Sequence, residues 1–480
     1  MSLAPALRRA AALAAAAFAA ACSAVGPDFT PPERELPATW HQEATSGLSV
    51  GQPGDAAWWR QFGDPLLADL VDQALRQNLD LRAALARLTS ARALYGVAAA
   101  DQWPSLDARG SYDHRKDSRN TPFGAFIPRT DIHTIALDAA WELDLWGRVR
   151  RSVEAADADL AASEADLHGA ALTVAGEVVA TYVDLRAAQQ RLRIARENLA
   201  LQERTLGLVQ ARFDAGLVDE RDVAQARTNV ESTRARLPAL DAQAIAAQNR
   251  LAVLLGKAPG ELPATFAAPS ALPTLPKTIA VGVPADLLRR RPDLQAAESR
   301  LHAEIARIGV AEADRYPRLS IGGTLGLSAN AADDLFTKGS DVTSFGPSLR
   351  WNLFDGGRLR NRVRSLEANA EAAQIVWEQT LLRALEEAEN AMARFVREQA
   401  RLVALQRAAA EARRAVDLAQ TQYQTGLSDF QTVIDSERTV ASIEDELVAS
   451  EAAVASFAVA LFKALGGPTP AAAGDVSRPA

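Results

Sequence analysis

Residues 80–106 read DLRAALARLTSARALYGVAAADQWPSL, and residues 293–319 read DLQAAESRLHAEIARIGVAEADRYPRL. At a constant offset of 213 the two stretches share 14 identities in 27 positions, which identifies an internal duplication. Past the next loop the offset becomes 210 and holds, through Trp141/Trp351, Gly147-Arg148/Gly357-Arg358, Gly216-Leu217/Gly426-Leu427 and Leu255-Gly256/Leu465-Gly466. Two tandem copies of one unit are expected, over 65–256 and 285–467, joined by a Pro-rich linker over 257–284.

Each copy has the same internal order. A helix (65–102 and 285–315) ends before Pro104 or Pro317, two strands follow, and a very long helical stretch comes next. No Pro occurs from 129 to 237 or from 348 to 467, and Ala, Leu, Glu, Arg and Gln dominate there. The 66 residues from Gly147 to Arg212 predict a rod of roughly 100 Å at about 1.5 Å per residue, longer than a globular domain holds. An Ala-rich stripe along it permits close packing of several helices in a coiled-coil-like assembly.

The strand pairs lie over 104–143 and 317–354, and within them residues 134–143, 319–327 and 344–353 alternate apolar with polar or small residues. In 344–353 Phe345, Pro347, Leu349, Trp351 and Leu353 interleave with Ser344, Gly346, Ser348, Arg350 and Asn352. Segments of about ten residues with one apolar and one polar face fit transmembrane β-strands, and half-buried strands of a soluble hairpin are the alternative. Four strands cannot close a barrel, and an open edge is not viable in lipid. Other copies of the chain must complete it. Three chains give twelve strands, the smallest closed cyclic arrangement with an open lumen. The expected fold class is therefore an α+β membrane protein: a long α-helical coiled-coil barrel plus a β-barrel with four strands per chain, built on a tandem duplication.

Composition narrows the function. The 480 residues carry 52 Lys+Arg against 60 Asp+Glu, a net charge of −8 that argues against nucleic-acid partners. The five His are scattered and the one Cys permits neither an intrachain disulfide nor a thiolate zinc site. Glu164/His168 and Glu298/His302 lack the spacing of carboxylate-bridged metal bundles, and no phosphate loop or nucleophile elbow occurs, so no enzyme is expected and no cofactor. Past residue 22 no apolar run of about 18 residues predicts a transmembrane helix. At the start, Arg8 and Arg9 precede the apolar run Ala10 to Ala21, which leads into Cys22. That order resembles a lipoprotein signal peptide over 1–21 with a covalent lipid on Cys22, an ordinary signal peptide being the alternative. An extended segment over 22–64 and a disordered tail over 468–480 complete the expected organisation.

The chain resembles the TolC-like outer membrane factors, in particular the NodT-type lipoproteins that serve resistance-nodulation-division efflux pumps. The resemblance rests on Gly26-Pro27-Asp28 after the Cys, Trp58-Trp59, Phe62-Gly63-Asp64-Pro65, Asn78-Leu79-Asp80-Leu81 and Arg290-Arg291-Pro292-Asp293-Leu294. It rests also on Trp146-Gly147-Arg148, Phe354-Asp355-Gly356-Gly357-Arg358 and the two turns 212–217 and 422–427. It implies a homotrimer in the cell outer membrane, lipid-anchored and barrel-inserted, with a periplasmic helical tube. The implied function is the exit duct of a tripartite pump, with a periplasmic adaptor and an inner-membrane transporter as partners. A type I protein-secretion outlet and, in another class, a lipid-anchored periplasmic coiled-coil scaffold are the alternatives.

Gly216 and Gly426 each interrupt a long helix, as an αL helix stop before a chain reversal does. By resemblance these hairpins, Gly216, Leu217, Val218 and Gly426, Leu427, Ser428, are the periplasmic tips that dock the adaptor. Acidic residues follow them: Asp219, Glu220, Asp222, Asp429 and Asp435. Repeated by symmetry, carboxylates at a constriction favour cations; solvated helix starts are the alternative. The family places gate carboxylates at the positions of Asp222 and Asp435. It often has Leu where this chain has Gln431, so the expected closure is polar, among Arg221, Asp222, Tyr423 and Asp435, and not a hydrophobic plug at Gln431.

Overall fold

A computed structural model of the chain describes residues 24–42, 47–49, 51, 57–121, 125–126, 129–266, 270–275 and 278–467. Cys22, the expected signal peptide and the expected tail lie outside the described residues. The first copy runs α1 (Pro65–Gln77), α2 (Leu79–Ala100), β1 (Ser105–Arg115), β2 (Thr130–Leu143), α3 (Arg148–Asp214), α4 (Glu220–Leu254). The second runs α5 (Pro292–Ala313), β3 (Arg318–Ala329), β4 (Asp341–Arg350), α6 (Arg358–Gln424), α7 (Phe430–Ala464). Helices α3 and α6 are both 67 residues long, and α4 and α7 both 35, so the duplication is kept to the residue in the hairpins.

Both helices expected before the strands are broken, and the duplication explains how. The stretch 65–102 divides at Asn78, whose Oδ1 accepts the N–H groups of Asp80 (2.9 Å) and Leu81 (3.1 Å) and so caps α2. Its Nδ2 donates to the carbonyl of Leu254 at 2.9 Å. The stretch 285–315 divides at the equivalent Arg291, followed by Pro292 at the first position of α5. Arg291 Nη1 donates to the carbonyl of Ala464, the equivalent of Leu254, at 3.0 Å. One junction is thus held by an amide in the first copy and a guanidinium in the second. The segment before α1 is not extended throughout: Trp58–Phe62 forms a 3-10 turn, and Leu48–Ser49 pairs in parallel with Ile279–Ala280.

Contacts divide the chain into two units. The first holds residues 24–33, 87–164 and 296–378, and the second 34–42 and 47–86 where described, 165–295 and 379–467. Within the first unit, β1–β4 form one antiparallel sheet in the order β1-β2-β3-β4. The Gly26-Pro27-Asp28 stretch lies along the same unit: Val25 N–H donates to the Trp146 carbonyl (2.9 Å), and Arg151 pairs with Asp28 (2.5 Å). Beside it, His302 stacks on Phe29 (4.3 Å) and meets Glu154 at 2.9 Å across the helices, not Glu298 on its own helix. Within the second unit, Trp58, Phe62 and Phe462 form an aromatic core. There Asp64 caps α1 and takes the hydroxyl of Tyr182 at 2.6 Å, and burial with that bond pushes the phenol up to about 12.

By length and composition alone, α7 is apolar enough to cross a membrane. More than half of its most apolar stretch is buried inside the protein, as in the core helix of a bundle. Small residues explain the tolerance, since Ala452, Ala455 and Ala458 are all buried there.

Candidate functional site

The sheet is two-faced in register. Trp141 pairs with Ile321 and Ile321 with Pro347; Leu137 pairs with Leu325; Leu143 pairs with Leu319 and Leu319 with Leu349. Directly opposed residues of antiparallel strands share a face, so these side chains make one continuous apolar surface. Leu106, Leu325, Phe345 and Leu349 on it are exposed. The other face is hydrogen-bonded and polar. Asp138 takes the Thr324 hydroxyl (2.6 Å) and faces Arg109 (3.4 Å), and Ser320 meets Ser348 at 2.8 Å. Trp141 Nε1 donates to the Gln102 carbonyl (3.0 Å) and the equivalent Trp351 to that of Arg315 (3.1 Å), so both indoles are anchored at the same end of the sheet. Among the described residues nothing pairs with the outer edges of β1 and β4.

The two hairpin tips share one backbone solution. Gly216 (φ +70°) and Gly426 (φ +78°) occupy the left-handed region, where a Cβ is disfavoured. Leu217 N–H donates back to Arg212 O (2.9 Å) and Leu427 N–H to Gln422 O (2.8 Å), the six-residue closure of a Schellman stop. Asp219 and Asp429 then cap the returning helices through the N–H groups of Arg221 and Thr432, both at 3.0 Å. Leu217 is 67% exposed and Leu427 81%, so the tips present apolar side chains to solvent. Val218 is partly buried against the tip core, and Ser428 donates to the carbonyl of Asp429 at 3.2 Å.

The charged residues at the tips form two separate groups within the chain. Arg221 approaches Asp219 (3.7 Å) and Asp222 (4.0 Å), while Gln431 Nε2 donates to Asp435 Oδ1 at 2.9 Å. Burial pushes the Asp222 carboxyl up, and the neighbouring carboxylates of Asp219 and Asp429 add to this against the pull of Arg221. Tyr423 joins neither group. It is 3% exposed, packed against Phe430 (5.4 Å) within an apolar cluster of Val209, Val223, Val433 and Ile434. Arg212, which the sequence reading did not single out, stacks its guanidinium over the Tyr423 ring at 4.5 Å and donates to the Tyr423 carbonyl at 2.6 Å.

One further group escaped the sequence reading. Glu437, 2% exposed, sits where four helices meet and accepts from Thr205 of α3 (2.7 Å), Asn229 of α4 (3.1 Å) and Gln420 of α6 (3.3 Å). Burial pushes its carboxyl up, although all three hydrogen bonds oppose that shift. A lone Glu among helix formers carries no sequence signal; only the convergence of Thr205, Asn229 and Gln420 marks it.

The model of the outer membrane efflux protein family matches residues 70–257 and 283–467, one span for each copy. Nodulation protein T of Rhizobium leguminosarum bv. trifolii is 33% identical over 423 residues, covering 88% of this chain and 90% of the relative. The toluene efflux pump outer membrane protein TtgI of Pseudomonas putida is 32% identical over 458 residues, covering 93% and 95%. Among solved structures, the outer-membrane channel OprN superposes with a TM-score of 0.87 at 39% identity, over 92% of this chain and 99% of that one. TtgI is by name an efflux pump outer membrane protein, and OprN an outer-membrane channel. With a duplicated hairpin, a two-faced sheet and full-length relatives of this kind, the chain belongs to the outer membrane efflux protein family and is an outer membrane channel component of efflux.

Proposed function

We propose that three copies of this chain close a twelve-stranded barrel in the outer membrane and act as the passive exit duct of a tripartite pump. The observation that carries this reading is the four-stranded sheet, apolar on one registered face and polar on the other, with two unpaired edges. In lipid each edge strand must find a partner, and β4 of one copy with β1 of the next supplies it. The polar faces then line the lumen. A lipid on Cys22 adds a second anchor, and no cofactor takes part. The exposed Leu217 and Leu427 tips are the docking surface for a periplasmic adaptor that links the duct to an inner-membrane resistance-nodulation-division transporter. The transporter selects the solute.

The entrance is a polar constriction in this reading. Arg221 with Asp222, and Gln431 with Asp435, come from the two tips and are brought together across copies by threefold symmetry, while Tyr423 stiffens the tip from inside. Native mass spectrometry of the protein in detergent is expected to give trimers, and a stable monomer that conducts ions in planar bilayers overturns the shared barrel. Arg221→Ala combined with Asp435→Ala is expected to raise single-channel conductance. Unchanged conductance and ion selectivity place the constriction elsewhere.

A further inference from the structure

Three exposed arginines, Arg350, Arg358 and Arg362, gather near one end of the sheet without a carboxylate partner of their own among the described residues. We propose that the cavity they line, about 550 Å³ between the polar face of β3–β4 and the start of α6, binds a soluble oxyanion bearing phosphate or carboxylate groups. Arg350 lies directly opposite Arg318 in the β3–β4 register, and like charges so placed repel. Arg318 is neutralised by Asp314 at 2.5 Å; Arg350 is not. Arg358 is the first residue of α6, where a cation opposes the helix dipole. The nearby Asp355 attracts it, but that carboxylate already caps the N–H groups of Gly357 and Leu359, both at 2.9 Å. Arg362 follows one turn later on the same helix face. Among the described residues, Arg350, Arg358 and Arg362 make no ion pair and no side-chain hydrogen bond.

The duplication provides an internal control. At the offset of 210, Arg350, Asn352, Arg358 and Arg362 correspond to Ala140, Glu142, Arg148 and Ser152. In the first copy Glu142 holds Arg148 in a two-bonded fork, at 2.8 and 2.9 Å. The second copy keeps the arginine, exchanges the carboxylate for Asn352 and adds two more guanidiniums. The two carboxylates on the cavity wall, Glu142 and Asp314, are each already engaged by Arg148 and Arg318. Arg350, Arg358 and Arg362 are exposed, so their guanidiniums are open to an anion from solution, and planar guanidiniums match phosphate and carboxylate oxygens in pairs. The cavity volume suits a small organic anion. It opens on the polar face, opposite the apolar surface of Leu325, Phe345 and Leu349, which favours a solute in water over a lipid headgroup.

Placing this site in the lumen rests on the proposed channel; the binding does not, so calorimetry separates failure of one from failure of the other. Inorganic pyrophosphate titrated into the full-length protein in a neutral detergent at low salt is expected to bind saturably, and more weakly as salt is added. Asn352→Glu, which restores the carboxylate of the first copy, is expected to weaken binding about tenfold or more, as is Arg350→Ala with Arg362→Ser. Absence of saturable binding to the wild-type protein, or equal affinity in the Asn352→Glu variant, overturns the site. Binding retained in nanodiscs of phosphatidylcholine and of phosphatidylglycerol alike supports a soluble ligand. Loss in phosphatidylglycerol alone shows that the headgroup is the occupant and overturns the solute.

Discussion

At the first hairpin tip, the residues after the capping Asp219 are Glu220, Arg221 and Asp222; at the second, after Asp429, they are Phe430, Gln431 and Thr432. The backbones are nevertheless alike: a left-handed Gly, a six-residue closing bond and an extended Asp cap in each. The second tip supplies the aromatic side chains of the shared core, Tyr423 and Phe430, which pack with Val209 and Val223 of the first, and the first supplies charge. Duplication thus preserves the groups that satisfy backbone N–H and C=O, because an orphaned helix end is penalised in both copies alike. Side chains that only one copy needs to bury are free to become something else in the other.

The comparison can be broken at several points. Phe430→Ala is expected to destabilise the folded protein by about 3–5 kcal/mol, whereas its counterpart Glu220→Ala stays within about 0.5 kcal/mol. Unfolding curves of the detergent-purified variants measure both, and equal losses show that the second tip contributes no more to the shared core than the first. A smaller asymmetry is expected further along the hairpins. Glu437→Ala orphans the buried donors of Thr205 and Asn229 and is expected to lose about 1–3 kcal/mol, while Arg227→Ala at the equivalent exposed position is near neutral.

Glu437 also gives the hairpins a pH dependence. Its folded carboxyl holds a proton that the unfolded chain has already released, so its contribution to stability is full below the ordinary Glu value and is lost as pH rises through the folded value. Glu437→Gln is therefore expected to flatten the decline in unfolding midpoint between acid and neutral pH. An unchanged slope assigns that decline to other groups.

Where the copies agree, the effects must agree. A Cβ at Gly216 or Gly426 meets nothing within 4 Å, so Gly216→Ala and Gly426→Ala differ from wild type only in backbone strain. Each is expected to cost about 1–2 kcal/mol, and a clear inequality disproves the shared turn. The smallest effect falls on the charged tip. Arg221→Ala is expected to change stability by about 0.2–1 kcal/mol at most, its pairs being exposed. Because the Asp222 carboxyl is pushed up, mild acidification is expected to reduce cation preference before ordinary carboxylates titrate. Reversal potentials in planar bilayers across a pH series measure this, and Asp222→Asn should remove the earliest part of the change.

The duplication, the alternating strands and the two Gly turns were legible because each is a local pattern repeated at a fixed spacing. The break at Asn78 was not. Residues 65–102 read as continuous helix formers, and Asn78 acts as a cap held by a carbonyl 176 positions away. Arg291 was hidden by the same kind of distant partner, Ala464. The tip acids could be listed from sequence, yet their grouping could not. Arg221 prefers its own turn, and Tyr423 turns inward because Phe430 and Arg212 are there to pack on it. Contacts that depend on two hairpins lying side by side leave no trace in the spacing of either one.

Hairpins of identical dimensions in both copies impose a rule on how such a chain can change its reach. Removing seven residues from the α3 side alone draws that tip back by about 10 Å and strips the cover from Tyr423, which the other tip keeps in place. Matching deletions on the way out and the way back do not rescue it unless the sister hairpin is cut as well. Four segments must therefore shorten together or not at all, so selection on length acts on coordinated sets of deletions, and single-site insertions into these helices are expected to be rare among functional variants.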